Sequence, residues 1–184
     1  MGSRWFARCA GASLAVATLV TLAAFADPAK LAMGDPFPPV EADSVAGTHV
    51  ALPGDRQGAA FVAIFAFSQK AGDAAAHWSH ALYKTLPSDV AIFAVADLSH
   101  VPGLFRGFAV SGIRQEASPA QPEHGGHMLL LTHRNDWSQI VPSGSDDDAV
   151  IVAVDRTGTV TDIERRAFSD DAAIEVEKTI ASRP

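Results

Sequence analysis

Apolar residues along the chain gather in short runs with few polar positions between them. A run that is apolar at every position predicts a strand buried on both faces, because successive strand residues point to opposite sides of a sheet. Two runs have this pattern, and two further apolar runs predict additional strands of the same sheet. The four predicted strands are Ala59–Phe67, Val90–Ala96, Met128–Leu131 and Ala149–Asp155.

A helix is predicted between the first two strands. Asp73 is a candidate N-cap for a helix from Ala74 to about Leu86, and Pro87 follows its end. Trp78 and Leu82 repeat at a spacing of four residues, so they predict one apolar side that faces the core.

Two more helices and one exposed aromatic residue are predicted further along the chain. Asp170 is the candidate cap of a last helix that ends near Ala181. Trp137 lies in a polar stretch, which predicts a half-exposed side chain available to a partner. Ser99 and Pro102 are typical of a helix start, and the apolar side of that helix is predicted to be Val101, Leu104, Phe105 and Phe108.

The order of these elements predicts an α/β fold. The proline-rich segment Asp27–Val40 predicts an extended start, and Ala117–Gly126 predicts a loop. A tight turn at residues 156–158 leads into Thr159–Glu164, which predicts a hairpin with the preceding strand. The expected architecture is a three-layer sandwich with a mixed central sheet and a C-terminal β-hairpin plus helix.

The first 26 residues have the pattern of a secretory signal. Arg4 and Arg8 precede the apolar and small residues of Cys9–Ala26, and Ala24-Phe25-Ala26 supplies small residues at a cleavage site. Residues 1–26 are predicted to be a signal peptide and residues 27–184 a single domain that is periplasmic or secreted. Retention of the segment as a membrane anchor stays open, since it nearly reaches the length of a bilayer span. No later segment predicts a span.

Charge and cysteine content restrict the classes of function. Cleavage removes two of the 14 basic residues and none of the 21 acidic ones, so the net charge changes from −7 to −9. This balance argues against nucleic acid as a partner. Cleavage also removes Cys9, the one cysteine of the sequence, so the mature chain has no thiol chemistry.

Several segments in order resemble the thioredoxin-like superfamily, in its peroxiredoxin-like and thiol–disulfide-exchange-like branch. The resemblance covers about Gly34 to Lys178 and implies a thioredoxin-like fold whose redox cysteines follow the central strand. The segments that carry it are Gly34–Val40, Gly47–Leu52, Phe61–Ser68 and Val152–Val160.

The sequence differs from this family at the positions that carry the family's redox chemistry. At the place of the redox cysteines stand Ser68, Gln69, Lys70, Ala71, Gly72 and Asp73. Ala149 stands near the place of the family's cis-proline. A serine hydroxyl needs a dedicated base to act as a nucleophile, and no competent pair is recognised. We therefore expect no thiol oxidoreductase or peroxidase activity. The leading hypothesis is a non-catalytic binding or assembly factor that contacts an unknown protein partner through Ser68–Asp73.

Histidine spacing supports an alternative hypothesis, a periplasmic protein that binds copper or zinc. Two pairs of histidines are each separated by three positions, a spacing that lets both imidazoles reach one ion. Lys84 shares the predicted helix face of the first pair and opposes a bound cation. The acidic run Asp146–Asp148 lacks calcium-loop spacing and predicts a solvated loop. The candidate ligands are His77, His80, His124 and His127. No other cofactor is expected.

Overall fold

A computed structural model describes residues 30–99, 101–116, 127–131, 137–141, 145 and 147–181. Their strands form one seven-stranded sheet with the order β2-β1-β5-β4-β3-β6-β7, in which β3, β4 and β5 run parallel and the outer strands antiparallel. The strands are β1 (Val40–Ser44), β2 (His49–Leu52), β3 (Phe61–Ala66), β4 (Ala91–Asp97), β5 (Met128–Leu131), β6 (Val150–Val154) and β7 (Val160–Glu164). The four predicted strands are confirmed as β3 to β6.

Helices connect and cover these strands. They are α1 (Gln69–Thr85), α2 (Gly103–Glu116), the short α3 (Trp137–Ile140) and α4 (Asp170–Ala181), with a 3-10 turn at Gly54–Arg56. The start of α4 is shifted by one residue from the prediction. The Ser169 hydroxyl, rather than Asp170, accepts the amide of Ala172 at 3.2 Å. Among the helices of the described ranges, none has the length and apolarity to cross a membrane.

The core lies on both faces of the sheet, which explains why β3 is apolar throughout. Phe61 and Phe65 point into one cluster, and Val62 and Ile64 point into the other. The first cluster is covered by the N-terminal segment and α3, through Leu31, Phe37 and Trp137. The second is covered by α1 and α4, through Trp78, Leu82, Ala172 and Val176. The predicted three-layer α/β sandwich is thus confirmed.

The C-terminal hairpin of β6 and β7 also forms as predicted. Gly158 lies at the turn with a φ of +83°, a conformation that favours glycine over residues with a side chain. One oxygen of the Asp155 carboxylate accepts the amides of Thr157 at 2.8 Å and Thr159 at 3.0 Å. The acidic residue therefore holds the turn together.

Trp137 is not half exposed as its polar neighbours predict. Its side chain is 1% exposed and stacks on Phe65 at a ring distance of 5.5 Å and on Phe37 at 6.2 Å. The prediction was wrong because a short helix over the sheet shields one large ring while its sequence neighbours stay polar. The hydropathy of the neighbouring residues does not predict stacking on rings that are distant in sequence.

The apolar side predicted for α2 is also wrong in orientation. Leu104, Phe105 and Phe108 are 90%, 62% and 81% exposed. Ala109 and Ile113 of α2 are instead half-buried and line the cavity described below. Because α2 has apolar residues on more than one side, helical periodicity alone does not choose the buried one.

Candidate functional site

Helix α1 begins at the end of the central strand β3, five residues earlier than predicted. Ser68 has an extended backbone and caps the helix, its hydroxyl oxygen accepting the amide of Ala71 at 3.0 Å. Asp73 is therefore inside the helix and is not its cap. Both residue types are good caps, and the cost of Gly72 in a helix interior, about 1 kcal/mol, is small enough for the earlier start to prevail.

The six residues of the predicted partner surface differ in exposure. Gln69, Lys70 and Asp73 are exposed on the first turns of α1. Ser68 and Gly72 are half-buried, and Ala71 is fully buried in the core. Of the six residues, three therefore have side chains that are exposed at this surface.

An ion pair connects this turn to the segment before β6. The Lys70 ammonium donates to Asp147 Oδ2 at 2.6 Å, and both side chains are solvent-accessible. This hydrogen bond, together with the charge of Asp147, raises the pKa of Lys70 above its ordinary value. The other described carboxylate of the acidic run, Asp148, accepts the Ser145 hydroxyl at 2.9 Å. The pair thus brings together two segments that flank the central strand.

A cavity of about 530 Å³ opens between α1 and α2. It lies at the carboxyl ends of the parallel strands β3 and β4, where ligands of open α/β sheets commonly bind. Ser68, Gln69, Gly72 and Asp73 form part of its wall, so the predicted surface and the cavity share one edge.

Asp97 is the most unusual polar group of this cavity. It ends β4 and lines the cavity wall. Its Oδ1 accepts the amide of Ser99 at 2.8 Å. Its Oδ2 is buried and has no hydrogen-bond partner within the described part of the chain. Buried polar atoms are normally paired, so an unpaired carboxylate oxygen requires an explanation.

Sequence reasoning missed Asp97 and the α2 side of the cavity. One signal was present, because Asp97 directly follows the apolar run of β4 and thus stands at the carboxyl edge of a buried strand. The contribution of Ala109, Gly112 and Ile113 had no such signal, since it depends on where the tertiary structure places α2 relative to the cavity.

Of the four histidines that the sequence offers as metal ligands, the three that are described do not form one group. His77 and His80 are exposed on α1, and the His77 ring stacks on Phe168 at 5.8 Å. His127 lies 6.4 Å from the ring of Phe93, whose side chain belongs to the opposite face of the sheet. His124 lies outside the described residues. In the ranges that are described, no three His, Cys, Asp or Glu side chains form a group that could hold a metal ion.

Comparisons of the chain with known proteins identify its fold. No family model and no curated protein matches the chain. Among solved structures, the exposed lipoprotein thioredoxin Etrx1 of Streptococcus pneumoniae is similar at 13% identity and a TM-score of 0.58, covering 78% of this chain and 100% of that one. The thioredoxin domain of a Bacteroides vulgatus thiol-disulfide oxidoreductase matches at 19% identity and 0.54, covering 82% and 99%. The fold is thioredoxin-like.

A third structure agrees with this assignment. A Chlorobium tepidum protein assigned as the thiol:disulfide interchange protein DsbE matches at 16% identity and a TM-score of 0.60, covering 83% of this chain and 98% of that one. These likenesses concern the fold alone. In this chain the first turn of α1 has Ser68 at the cap, and Cys9 is the one cysteine of the sequence.

Proposed function

We propose that this thioredoxin-like chain is a non-catalytic binding protein that recognises a partner at the first turns of α1. The observation that carries the proposal is Ser68 at the helix cap. A helix N-terminus activates a cysteine by stabilising its thiolate, whereas a serine hydroxyl needs a base. The Ser68 oxygen instead accepts the amide of Ala71, which is a structural role.

The exposed side chains beside this cap support recognition. Gln69, Lys70 and Asp73 project from a backbone that is fixed by the cap and by the buried Ala71. A rigid surface with both charge signs gives specificity, because a mismatched partner leaves one charge unpaired. The partner class that fits is a protein segment with complementary charges.

Site-specific crosslinking tests this location. A photoreactive amino acid is introduced at Gln69 in one variant and at Lys84 in a matched control; both positions are exposed and lie at opposite ends of α1. We expect a discrete crosslinked protein in native cells from the Gln69 variant alone. Equal products from both positions, or none from Gln69, contradict the proposed surface.

An assay of disulfide reduction tests the non-catalytic part of the proposal. The chain is expected to reduce insulin disulfides no faster than a protein-free control containing dithiothreitol. A Cys9→Ser variant serves as the matched control, because it removes the one thiol. Turnover above the background that survives in Cys9→Ser contradicts a non-catalytic role.

Export belongs to the same proposal. The signal-like residues 1–26 support it, as does the exposed lipoprotein among the structural neighbours. N-terminal sequencing of protein secreted to a bacterial periplasm tests it, with Asp27 as the expected first residue. Retention of Met1 in a membrane fraction contradicts cleavage and supports the anchor alternative.

Copper or zinc binding remains a second candidate function. The observation that favours it is that His77 and His80 are both exposed on α1 at a spacing of three residues. We expect calorimetric zinc or copper binding to fall in a His77→Ala/His80→Ala variant if this pair provides ligands. A metal response that is equal in the variant and in the native chain excludes the pair.

A further inference from the structure

The cavity between α1 and α2 has the dimensions of a small-molecule site. Its volume of about 530 Å³ falls within the range of roughly 300–1,000 Å³ typical of such sites. Small residues from three elements leave this space open: the cavity is lined by Ala75 and Ala76 of α1, by Ala94 and Ala96 of β4, and by Ala109 and Gly112 of α2. Larger side chains at these positions would fill it.

The cavity is largely apolar and has two acidic lining residues. Phe67, Val101, Ile113 and Met128 contribute larger apolar surfaces. Asp73 and Asp97 are its charged lining residues, and no lysine, arginine or histidine lines it within the described ranges. The site therefore favours an occupant that is apolar over most of its surface and positively charged at one point.

The unpaired oxygen of Asp97 indicates where that charge binds. Its Oδ1 is already used by the amide of Ser99, while Oδ2 is buried without a partner. A buried carboxylate oxygen without a donor costs free energy, and a charged donor recovers more of that cost than a neutral one. An ammonium group supplies both the donor and the compensating charge.

We infer that this cavity binds a small apolar molecule that carries a protonated amine, with Asp97 as the acceptor. The inference goes beyond the proposed function, which concerns a protein at the outer surface of α1. The two sites share an edge, but Asp97 of β4 and Ala109 of α2 line the cavity and lie outside the proposed partner surface Ser68–Asp73, so variants at these two positions leave that surface unchanged. Loss of amine binding and loss of the crosslinked partner are therefore separate results.

Three rigid probes of nearly equal size test the inference on the full chain. They are 1-adamantylamine, 1-adamantanol and 1-adamantanecarboxylate, which present a cation, a neutral donor and an anion on the same apolar cage. Dissociation constants are measured at pH 7 by calorimetry or by chemical-shift titration. We expect the amine to bind at least about tenfold more tightly than the alcohol, as a hydrogen bond to a charged group implies, and the carboxylate to bind most weakly.

Two variants test whether the probes bind in the cavity, and they distinguish the effect of the Asp97 charge from that of the cavity shape. Asp97→Asn keeps the size of the side chain and is expected to remove the preference for the amine over the alcohol. Ala109→Leu fills the cavity from α2 and is expected to weaken both probes. Asp43→Asn, at an exposed position on β1, is the matched control and leaves all three affinities unchanged.

Several results would overturn the inference. One is equal affinity of the native chain for the amine and the alcohol, which needs no variant and is unaffected by folding. Another is an amine preference that persists in Asp97→Asn. Absence of binding by every probe at millimolar concentration, or chemical shifts confined to residues outside the cavity, also contradicts it.

Discussion

Aromatic side chains of this chain divide into two groups with opposite environments. Trp137 is 1% exposed and stacks on Phe37 and Phe65. Phe105 and Phe108 are 62% and 81% exposed on α2. At the scale of a residue, the free-energy contribution of an aromatic ring follows from the contacts it makes and not from its hydropathy.

Replacement of one aromatic residue from each group tests this contrast. Trp137→Ala removes a fully packed ring and is expected to lower the free energy of unfolding by about 3–5 kcal/mol. Phe108→Ala removes a solvated ring and is expected to change it by less than about 0.5 kcal/mol. Chemical denaturation followed by circular dichroism measures both. Similar losses in the two variants would contradict the burial described for these side chains.

At the scale of an element, polar side chains cap the starts of α1 and α4 and connect the last strand to α4. Ser68 caps α1, and Ser169 caps α4. Arg166 bridges Glu164 of β7 and Glu175 of α4. These contacts decide where an element begins and what it connects to, although each contributes little beside the core.

The cap of α1 is expected to have a measurable effect on stability. Ser68→Ala removes the acceptor for the amide of Ala71 and should cost about 1 kcal/mol of unfolding free energy. Ser68→Asp is the matched variant, since aspartate is an equally good cap and its charge suits a helix N-terminus. It should retain the native stability. A loss of the same size in both variants would argue against capping by Ser68.

The bridge between β7 and α4 predicts a pH dependence. The hydrogen bond from Arg166 lowers the pKa of Glu164 below its ordinary value of 4.5, against a smaller opposing effect of burial. A lowered folded-state pKa contributes stability above the unfolded value, and that contribution is lost as the pH falls through the folded value. Glu164→Gln should therefore be less stable than the native chain at pH 7, with the difference shrinking below about pH 4.5.

Thermal unfolding at pH 7 and pH 3 measures this difference. Glu41→Gln, at an exposed position on β1, is the control, and its difference from the native chain is expected to be small at both values. A Glu164→Gln deficit that is unchanged or larger at pH 3 contradicts the assigned role of Arg166.

At the scale of the whole molecule, stability is unevenly distributed. Strands β3, β4 and β6 are central in the sheet; β3 and β6 are buried throughout, and β4 is buried over its first three residues. None of the α2 side chains described, at positions 103–115, is buried. The fold therefore combines a rigid centre with one weakly anchored helix that forms a wall of the cavity.

Hydrogen exchange tests this distribution. Amides of β3 and β6 are expected to exchange most slowly, and those of α2 faster than those of α1, since local opening of α2 exposes little buried surface. Exchange measured by mass spectrometry on peptides from each element provides the comparison. Equal protection of α1 and α2 would contradict the loose attachment of α2.

Much of this protein is determined by the sequence alone. Runs that are apolar on both faces predicted strands β3 and β4 within one or two residues, because only the centre of a covered sheet demands such a pattern. The turn at Gly158 predicted the hairpin because few residue types adopt its backbone. The order of these elements also carried the resemblance to the thioredoxin-like superfamily, whose fold the comparisons show.

Other features were decided by the tertiary structure. The sequence predicted Asp73 as the cap of α1, whereas the helix is capped by Ser68, two residues after the end of β3. The environments of Trp137 and Phe108 are reversed from their prediction, because burial depends on which side of an element meets the sheet. Asp97 became a candidate binding residue only through the cavity between α1 and α2. Local sequence encodes backbone preference and periodicity, whereas a site requires distant segments to meet, and only the packed fold specifies which ones do.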